Sequence, residues 1–585
     1  MARPSGRVLV LDGDTPAALA CLRSLARAGL VVDVAAPVAR PLAGSSRYRD
    51  GVHRYPDPKA DPESFLEAVS RIAGQRDIRY LQPVTDDTME PLVEGRKRLP
   101  DGVILAAPSP ESYALLSDKG RTAALAERLE IPVPQGRVAK DLEELRAASE
   151  TLGFPLVLKP FRSVAALEGD LRTSLFVRYA VRPEDLESTA EPLLRYGPVV
   201  AQEYVQGAGV GVEVLVDRGE TVYVFQHKRL HEWPLTGGGS SLRESVPVDP
   251  MLADEAARLL KAADFHGVAM VEFKVDGKKG THHLIEVNPR FWGSLPLGLA
   301  AGADFPRMLH DLLVMGQRPT DEAARTGVQS RALTRDVWWL MEVLRRSDPN
   351  PLIRWPGRFG AVCGWFSLLL PKRVLDVQSF RDPRPGFVEL ARLVRDVTSR
   401  MADRRVRRRI RRRAERMRDR RDASDRLLKA ARHLLFVCHG NINRSPLAAV
   451  DLGRRLGASP GVEIRSAGLH PKGGRPADPR MVALAAARGV DLGGCRSTVV
   501  DAPLLEWADL IFVMDAAQAR RMEEILPGSA GKTLLLGVYA PPEEPIEIPD
   551  PYGGDEETYR RAFEAVTACT AAMARVLGER DRPKC

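Results

Sequence analysis

The sequence predicts an α/β protein of several domains: an N-terminal βαβ domain, a mixed α+β domain and a C-terminal α/β domain with a central parallel sheet. The chain has 585 residues, which is more than one domain of about 100 to 200 residues accounts for. Strand-like apolar runs alternate with helical spacing near both ends, whereas alternating strands and Gly-rich turns fill the middle. An arginine-rich segment marks the boundary before the last domain.

The composition excludes several classes of protein. Hydrophobic residues make up 44% of the chain and charged residues 28%, values that exclude wholesale disorder and a fibrous architecture. The longest apolar run, 361–370, contains Gly364 and stops at Pro371, so no membrane-spanning helix is expected. The chain opens without an apolar signal segment, which favours a cytoplasmic location. Its six cysteines form no CxxC pair, so we expect reduced thiols.

The first domain opens with a strand, a helix and a second strand. Strands are predicted at 7–11, 30–36, 78–81 and 103–106, and helices at 15–28 and 119–129. No GxGxxG motif follows the first strand, so a dinucleotide site is not indicated. We expect five parts in all, divided at 1–112 (βαβ domain), 113–320 (α+β domain), 321–400 (helical extension), 401–431 (basic helical linker) and 432–585 (C-terminal α/β domain).

The net charge of +9 is concentrated in one segment. Arg404–Arg421 holds twelve arginines and two acidic residues, so the rest of the chain carries a net charge of −1. The folded domains therefore give no support for specific nucleic-acid binding. Apolar residues recur at helical spacing within the segment, which favours a solvated helical linker; an anionic membrane surface at the inner membrane face, or an acidic partner, is the alternative. Nearby tryptophans are interpreted as helix packing, with an interfacial membrane face as the alternative (Trp338, Trp339, Trp355 and Trp365).

A strand, a loop and a helix start at 437–446 (VCHGNINRSP) place a cysteine and an arginine around one loop. Amides at a helix N-terminus converge on an anion, and the helix dipole also stabilises a thiolate at Cys438. The planar fork of Arg444 can hold two phosphate oxygens in line with the sulfur. A leaving group then needs an acid, and Asp550, in a loop stiffened by Pro551, is the candidate.

Residues 433–580 resemble a low-molecular-weight protein tyrosine phosphatase. The resemblance covers this loop, the Ser466-Ala467-Gly468 turn, the strand near 508–515 and the Asp550-Pro551 acid. It implies that Cys438 is the nucleophile, that Arg444 binds phosphate and that Asp550 is first acid and then base. It also implies that Ser445 donates to the thiolate and that the remaining loop residues cradle the phosphate (His439, Gly440, Asn441, Ile442 and Asn443). Asn443 stands where relatives often have a second cysteine, and the apolar Ile442 favours phosphotyrosine over phosphoarginine.

A second set of polar residues lies on a predicted hairpin. Alternation puts Glu272 on one strand face, and the returning strand is expected to place Leu284, Glu286 and Asn288 on one face. Two carboxylates and an amide oxygen that lie together repel one another unless a hard cation lies between them. Mg²⁺ bound jointly to nucleotide phosphates needs oxygen ligands of this kind. Lys119 and Lys159 could contact the phosphates, Arg290 a phosphate or carboxylate, and Glu203, Tyr204 and Val205 an adenine edge.

These spaced residues resemble the ATP-grasp superfamily, in the carboxylate-ligase branch related to carbamoyl-phosphate synthase, over about residues 1–320. The resemblance implies ATP with Mg²⁺, or Mn²⁺ as an alternative, and an acyl-phosphate formed from a small-molecule carboxylate and captured by an amine or similar acceptor. One departure is a glycine-poor loop after Lys159; the segment 236–241, flanked by His227, Arg229 and Arg243, could supply acceptor or triphosphate contacts instead.

The sequence thus predicts a bifunctional enzyme. The first half would be an ATP-dependent carboxylate ligase, and the last domain a cysteine-dependent phosphatase acting on a phosphotyrosine protein or a small phosphomonoester. The alternative is that the ATP-grasp half is a nucleotide or ligand sensor that regulates the phosphatase. The retained metal-binding set Glu272, Glu286 and Asn288 favours the first interpretation, because a sensor need not keep all three.

Overall fold

The computed structural model describes residues 6–160, 164–166, 172–174, 177–235, 237–320, 322–347, 350–366, 372–457 and 461–579. The chain forms two compact units. The first comprises Met1–Arg137, Ser149–Val157 and Ala201–Arg395, and the second comprises Val138–Ala148, Leu158–Val200 and Asp396–Cys585. The five-part division expected from the sequence is finer than this one and stays a prediction.

The N-terminal residues form a five-stranded parallel sheet in the order β3-β2-β1-β4-β5. Its elements are β1 Arg7–Val10, α1 Pro16–Arg27, β2 Val31–Ala36, β3 Val52–Arg54, α2 Pro62–Gln75, β4 Ile78–Gln82, α3 Asp86–Glu94, β5 Ile104–Leu105, α4 Pro110–Ser117 and α5 Lys119–Arg128. Helix α1 begins where the side chain of Thr15 accepts a hydrogen bond from the amide of Ala18. The predicted βαβ opening is confirmed.

A smaller group of elements follows. These are β6 Gly136–Ala139, α6 Leu142–Leu152, β7 Leu156–Pro160, β8 Val164–Ala166, β9 Arg172–Ser174, β10 Arg178–Ala180, α7 Leu186–Leu194 and β11 Val199–Glu203. Four strands form a sheet in the order β10-β7-β11-β6, and β8 pairs with β9 in antiparallel fashion. Most of the glycine-poor loop noted after Lys159 lies outside the described residues.

A seven-stranded sheet in the order β16-β15-β12-β13-β14-β17-β18 fills the rest of the first unit. Its elements are β12 Ala208–Asp217, β13 Glu220–Trp233, β14 Gly239–Ser245, α8 Pro250–Ala262, β15 Gly267–Asp276, β16 Thr281–Asn288, α9 Leu295–Ala301, α10 Phe305–Met315, β17 Gln329–Arg331, α11 Leu333–Arg345, α12 Arg358–Phe366 and β18 Arg373–Leu375. The pairing is antiparallel from β16 to β17, as the Gly-rich alternation predicts. The extension expected to be helical also contributes β17 and β18 to this sheet.

The basic segment is helical, as predicted, in α13 Arg384–Asp419 and α14 Arg421–Ala430. Most of its apolar stripe is packed, although Val406 is 42% exposed. Ala414 is buried in the core of the C-terminal domain, and Ile410 and Met417 pack against that core. The side chain of Arg411 lies 2.5 Å from Glu547, so cations also fasten the helix to this domain.

The C-terminal domain has a four-stranded parallel sheet in the order β20-β19-β21-β22. Its elements are β19 His433–Cys438, α15 Arg444–Leu456, β20 Glu463–Gly468, α16 Pro479–Ala486, α17 Ala502–Trp507, β21 Leu510–Val513, α18 Ala516–Ile525, β22 Thr533–Leu535 and α19 Glu556–Gly578. Strand β19 is central and buried, so its last residue reaches the carboxyl edge of the sheet. Within the described part of the chain, every helix is too short or too polar to cross a bilayer.

Candidate active sites

The thiol site, formed by residues 438–445 and Asp550, lies where β19 gives way to α15. Cys438 ends the strand with only 2% of its surface exposed. Its Sγ accepts hydrogen bonds from the amide of Asn441 at 3.2 Å and from Ser445 Oγ at 3.0 Å. Two donors aimed at a buried sulfur stabilise a negative charge on it, and the N-terminus of α15 adds its dipole. The arrangement therefore suits a thiolate nucleophile.

Asn441 braces this loop from inside. It adopts a left-handed conformation, with φ of 52°. Its Nδ2 donates to Ser445 Oγ and Ser466 Oγ, both at 2.9 Å, and its Oδ1 accepts from the amide of Thr498 at 2.8 Å. A Cβ atom at Gly468 would lie 2.8 Å from the amide of Asn441, so glycine allows the close approach of β20. The expected bracing role of Asn441 thus has its geometry in the structure.

Arg444 and Asp550 face each other in the thiol site. Arg444 Nη2 lies 2.6 Å from Asp550 Oδ2, and Nη1 donates to the carbonyl of Ile548 at 2.8 Å. The Arg444 side chain is buried, and its Nε has no hydrogen-bond partner. A buried unpaired donor is costly, so this atom is a site for an incoming anion. The Asp550 side chain is 40% exposed, so its carboxylate is open to solvent.

The other predicted loop residues lie around the thiol site with different roles. The carbonyl of Gly440 accepts a hydrogen bond from Arg475 Nη2 at 2.6 Å, and the carbonyl of Ile442 accepts one from the amide of Asp478 at 2.9 Å. Asn443 is the residue that precedes α15. His439 is exposed, and its ring meets that of His470 edge-on at 6.3 Å.

The carboxylate site, formed by Glu272, Glu286 and Asn288, lies on the hairpin of β15 and β16. Glu272 pairs with Glu286 across the two strands. Asn288 Nδ2 lies 3.3 Å from Glu272 Oε1 and 3.5 Å from Glu286 Oε1. The structure therefore brings the three predicted side chains together. Because like charges opposite each other are unfavourable, the pair needs compensating positive charge.

Leu284 does not share the face of Glu286, and this expectation was wrong. The register shifts between Glu272 and Phe273, so that Phe273 pairs with Leu284 and one residue of β16 is skipped. Leu284 is consequently buried in a core cluster with Phe273 and Val287. The bulge leaves the two glutamates on the polar side while the apolar residues below them stay in the core.

Two cations neutralise the carboxylates. Arg229 Nη2 lies 2.5 Å from Glu272 Oε2, and Lys119 Nζ lies 2.8 Å from Glu286 Oε2. Burial raises the pKa of Glu272 despite Arg229. Burial also acts to raise the pKa of Glu286, but the nearby Lys119 ammonium and Arg229 lower it overall. The pair is thus an anionic site balanced by two cationic side chains, and its carboxylate oxygens are ligands that suit a hard metal ion.

Arg290 extends the carboxylate site. Its Nη2 donates to Asn288 Oδ1 at 2.9 Å and lies 2.6 Å from Asp86 Oδ2. As oriented, the Asn288 amide directs its oxygen to Arg290 and its nitrogen to the glutamates, so binding a cation through that oxygen requires the amide to turn. Among the described residues, no group of three or more His, Cys, Asp or Glu side chains is arranged to hold a metal. The candidate set here has two carboxylates and an amide.

The remaining predicted contacts of the first half differ in outcome. Glu203 Oε1 accepts from the amide of Gln135 at 2.8 Å, and burial raises the pKa of Tyr204. Val205 follows in the link between β11 and β12, and Lys159 lies in β7, in the second unit.

Of the three residues flanking 236–241, only Arg229 reaches the carboxylates. His227 pairs with the buried Glu213 at 2.5 Å, and Arg243 is ion-paired with Asp376. Thr236 lies outside the described residues.

Comparison with known proteins assigns the C-terminal domain. A family model described as low molecular weight phosphotyrosine protein phosphatase matches residues 433–582. The probable low molecular weight protein-tyrosine-phosphatase EpsP of Ralstonia nicotianae is 37% identical over 133 residues, which cover 23% of this chain and 87% of that protein. The chain belongs to this phosphatase family. The phosphatase Etp of Escherichia coli K12 is 36% identical over 130 residues, 22% of this chain and 84% of that protein.

A second domain match lies in the middle of the chain. A family model described as ATP-grasp in the biosynthetic pathway with Ter operon matches residues 195–335, which include the carboxylate site. A crystal structure of biotin carboxylase from Campylobacter jejuni is similar over 55% of this chain and 74% of that chain, with 20% identity and a TM-score of 0.45.

The rim of the phosphatase site includes residues that sequence reasoning missed. The guanidinium carbon of Arg195 lies 4.5 Å from the ring centroid of Tyr552, two residues from Asp550. Burial and the neighbouring Tyr552 raise the pKa of Tyr196. One turn earlier, Glu191 lies 2.5 Å from Arg480 Nη1. These residues precede the phosphatase match by more than 200 positions, so no local spacing pattern could have indicated the contact.

Proposed function

We propose that this chain is a bifunctional enzyme that joins a carboxylate to an amine or similar acceptor with ATP and hydrolyses a phosphate monoester at a separate site. One observation carries the phosphatase half of the proposal. Within a single buried loop, the sulfur of Cys438 receives two hydrogen bonds, while Arg444 Nε has no partner and Asp550 stands beside the same guanidinium. This is the arrangement that thiolate attack on a phosphorus atom requires.

In the phosphatase reaction, Cys438 Sγ attacks phosphorus and the bond to the leaving oxygen breaks. Arg444 holds two non-bridging oxygens, and Asp550 gives its proton to the leaving oxygen. Asp550 then takes a proton from water as the cysteinyl-phosphate is hydrolysed. Ser445 stabilises the thiolate that is released. Ile442 and Tyr552 at the site favour an aromatic ester, so we propose a phosphotyrosine protein as substrate before a small phosphomonoester.

In the ligase reaction, Glu272, Glu286 and Asn288 would hold Mg²⁺, with Mn²⁺ as an alternative. The metal ion supplies charge neutralisation for the transferred phosphoryl group. We assign Lys119 and Lys159 to the nucleotide phosphates and Arg290 to the carboxylate or its acyl-phosphate. Glu203, Tyr204 and Val205 would meet the adenine. The residues fit the cation because two carboxylates and an amide oxygen are hard ligands, whose negative charge is balanced here by Arg229 and Lys119.

The test measures ADP and inorganic phosphate separately while carboxylic acids and amines are offered to the full chain. Glu272→Gln should abolish substrate-dependent ADP formation and leave aryl-phosphate hydrolysis unchanged, and Cys438→Ser should have the opposite effect. If no mixture stimulates ADP formation while ATP alters the phosphatase rate, the ATP-grasp half is a sensor. If Cys438→Ser still hydrolyses aryl phosphates, the nucleophile is another residue.

We further propose a cytoplasmic location with peripheral attachment at the inner membrane face. Arg404–Arg421 contributes attraction to anionic lipid, because its cations remain largely exposed. Ile410, Ala414 and Met417 of its apolar stripe are packed on the phosphatase core, so this segment would act through charge rather than by insertion. Replacing its outward arginines by glutamine should weaken binding to anionic vesicles in a salt-dependent way; unchanged binding would contradict this role.

A further inference from the structure

Helix α12 is apolar on two opposite faces. Its inner face carries Ala361, which is buried in a cluster with Trp339 and Val343. Trp365, one turn later, lies beside the guanidinium of Arg331 at 6.0 Å from the ring centroid. This face accounts for the attachment of α12 to the rest of the first unit.

The outer face of α12 is also apolar, yet it is exposed. Phe359 is 84% exposed and Phe366 is 66% exposed. They are seven residues apart and so share one side of the helix, with the exposed Cys363 between them. From Phe359 to Phe366 the helix has no charged residue. A helix that is apolar on all sides is normally buried. The exposed outer face of α12 therefore indicates a surface that binds a partner.

The charged residues next to this face indicate which kind of partner binds it. Arg354 and Arg358 precede the face, and Lys372 and Arg373 follow it. The sequence from 350 to 375 contains neither Asp nor Glu, so the charged residues in this stretch are all cationic. A second copy would bring the same cations into contact and repel. Phe and Trp flanked by Arg and Lys are instead the side chains that lie at the boundary between lipid headgroups and acyl chains.

We propose that the outer face of α12 is a membrane-binding surface, with Phe359 and Phe366 inserted at the headgroup boundary of an anionic bilayer. The four flanking cations contact the lipid phosphates. The helix lies in the plane of the interface, since nine residues are too few to span it. This site is distinct from the basic part of α13, where Ile410, Ala414 and Met417 pack on the phosphatase core, and it holds whether or not the two catalytic assignments are correct.

The experiment measures flotation of the full-length protein with phosphatidylcholine vesicles, alone or with about 30% phosphatidylglycerol. The wild type should bind the anionic vesicles, and binding should fall with salt. The double variant Phe359→Ser/Phe366→Ser should lower the partition coefficient about tenfold or more. Met251→Ser is the matched control, because Met251 is a 51% exposed apolar residue on α8, and it should bind like the wild type.

A second variant separates charge from apolar insertion. Arg354→Gln/Arg358→Gln should weaken binding to anionic vesicles about tenfold and leave binding to neutral vesicles unchanged. An unchanged circular dichroism spectrum and an unchanged thermal melting profile show that each variant is folded. Failure of the wild type to bind anionic vesicles, or equal binding by the phenylalanine variant, overturns the proposal. So does a wild-type dimer that the phenylalanine variant dissociates without any vesicle binding, because that result assigns the face to a second copy.

Discussion

Replacing Asn441 should make the loop around Cys438 open more easily. The hydrogen bonds that the Asn441 side chain makes determine the change in the free energy of local opening. The side chain makes three hydrogen bonds, and one of them satisfies the amide of Thr498. Leaving that amide unpaired costs about 1 to 3 kcal/mol, while Ser445 and Ser466 can recover part of their loss by rotation. Asn441→Gly should therefore lower the free energy of local opening by about 2 to 4 kcal/mol. Asn441→Ala should cost about 1 kcal/mol more, because alanine is strained at a φ of 52°.

Hydrogen exchange of the full chain measures this opening at the loop amides. At about 1.4 kcal/mol per factor of ten, the glycine variant should exchange about 30-fold faster or more, and the alanine variant faster again. The turnover number for an aryl phosphate should fall in the same order, since Ser445 loses the partner that aims it at Cys438. Equal exchange in the two variants would show that the backbone conformation stores no strain. Wild-type exchange in both would show that the hydrogen bonds do not hold the loop.

Three further predictions concern the phosphatase domain. Asp550→Asn should slow phenyl phosphate about 100-fold more than p-nitrophenyl phosphate, because only the poorer leaving group needs the proton; equal slowing would exclude an acid role. Arg195→Ala should reduce kcat for phenyl phosphate about twofold to fivefold, because it releases Tyr552. The exposed control Arg146→Ala should have no effect, and an identical loss in both variants would indicate a general charge effect. Ala414→Asp should shorten the half-life of phosphatase activity on heating, because it buries a charge. The exposed control Val406→Asp on the same helix should not, and equal half-lives would mean that the helix does not belong to the core.

The sequence predicted most of the fold because its signals are local. Alternation, apolar runs and Gly-rich turns follow the chain, and so the parallel N-terminal sheet, the antiparallel sheet and the C-terminal parallel sheet all have the predicted character. Strands β17 and β18 were missed, since three residues are too few to show a period of two. The thiol site was predictable for the same reason: Cys438, Arg444 and Ser445 lie on one short loop.

Contacts that depend on packing were not predictable. The bulge that moves Leu284 into the core is invisible in a regular alternation, because it depends on how the two strands pair. His227 and Arg243 looked available for a ligand, yet buried acids elsewhere in the chain engage both. Arg195 has no pattern around it that points to Tyr552. Each of these outcomes depends on a partner distant in sequence.

The packing of α13 and α14 shows that the folded phosphatase domain begins earlier in the chain than the family match does. The family match begins at residue 433, but Ala414, Leu428 and Ala431 already belong to the same hydrophobic core. A protein shortened to the matched residues would expose the surface that these side chains cover. The arginine-rich helix is therefore a folding element of the phosphatase, and a stable isolated domain should begin before residue 410 rather than at the first strand of the family match.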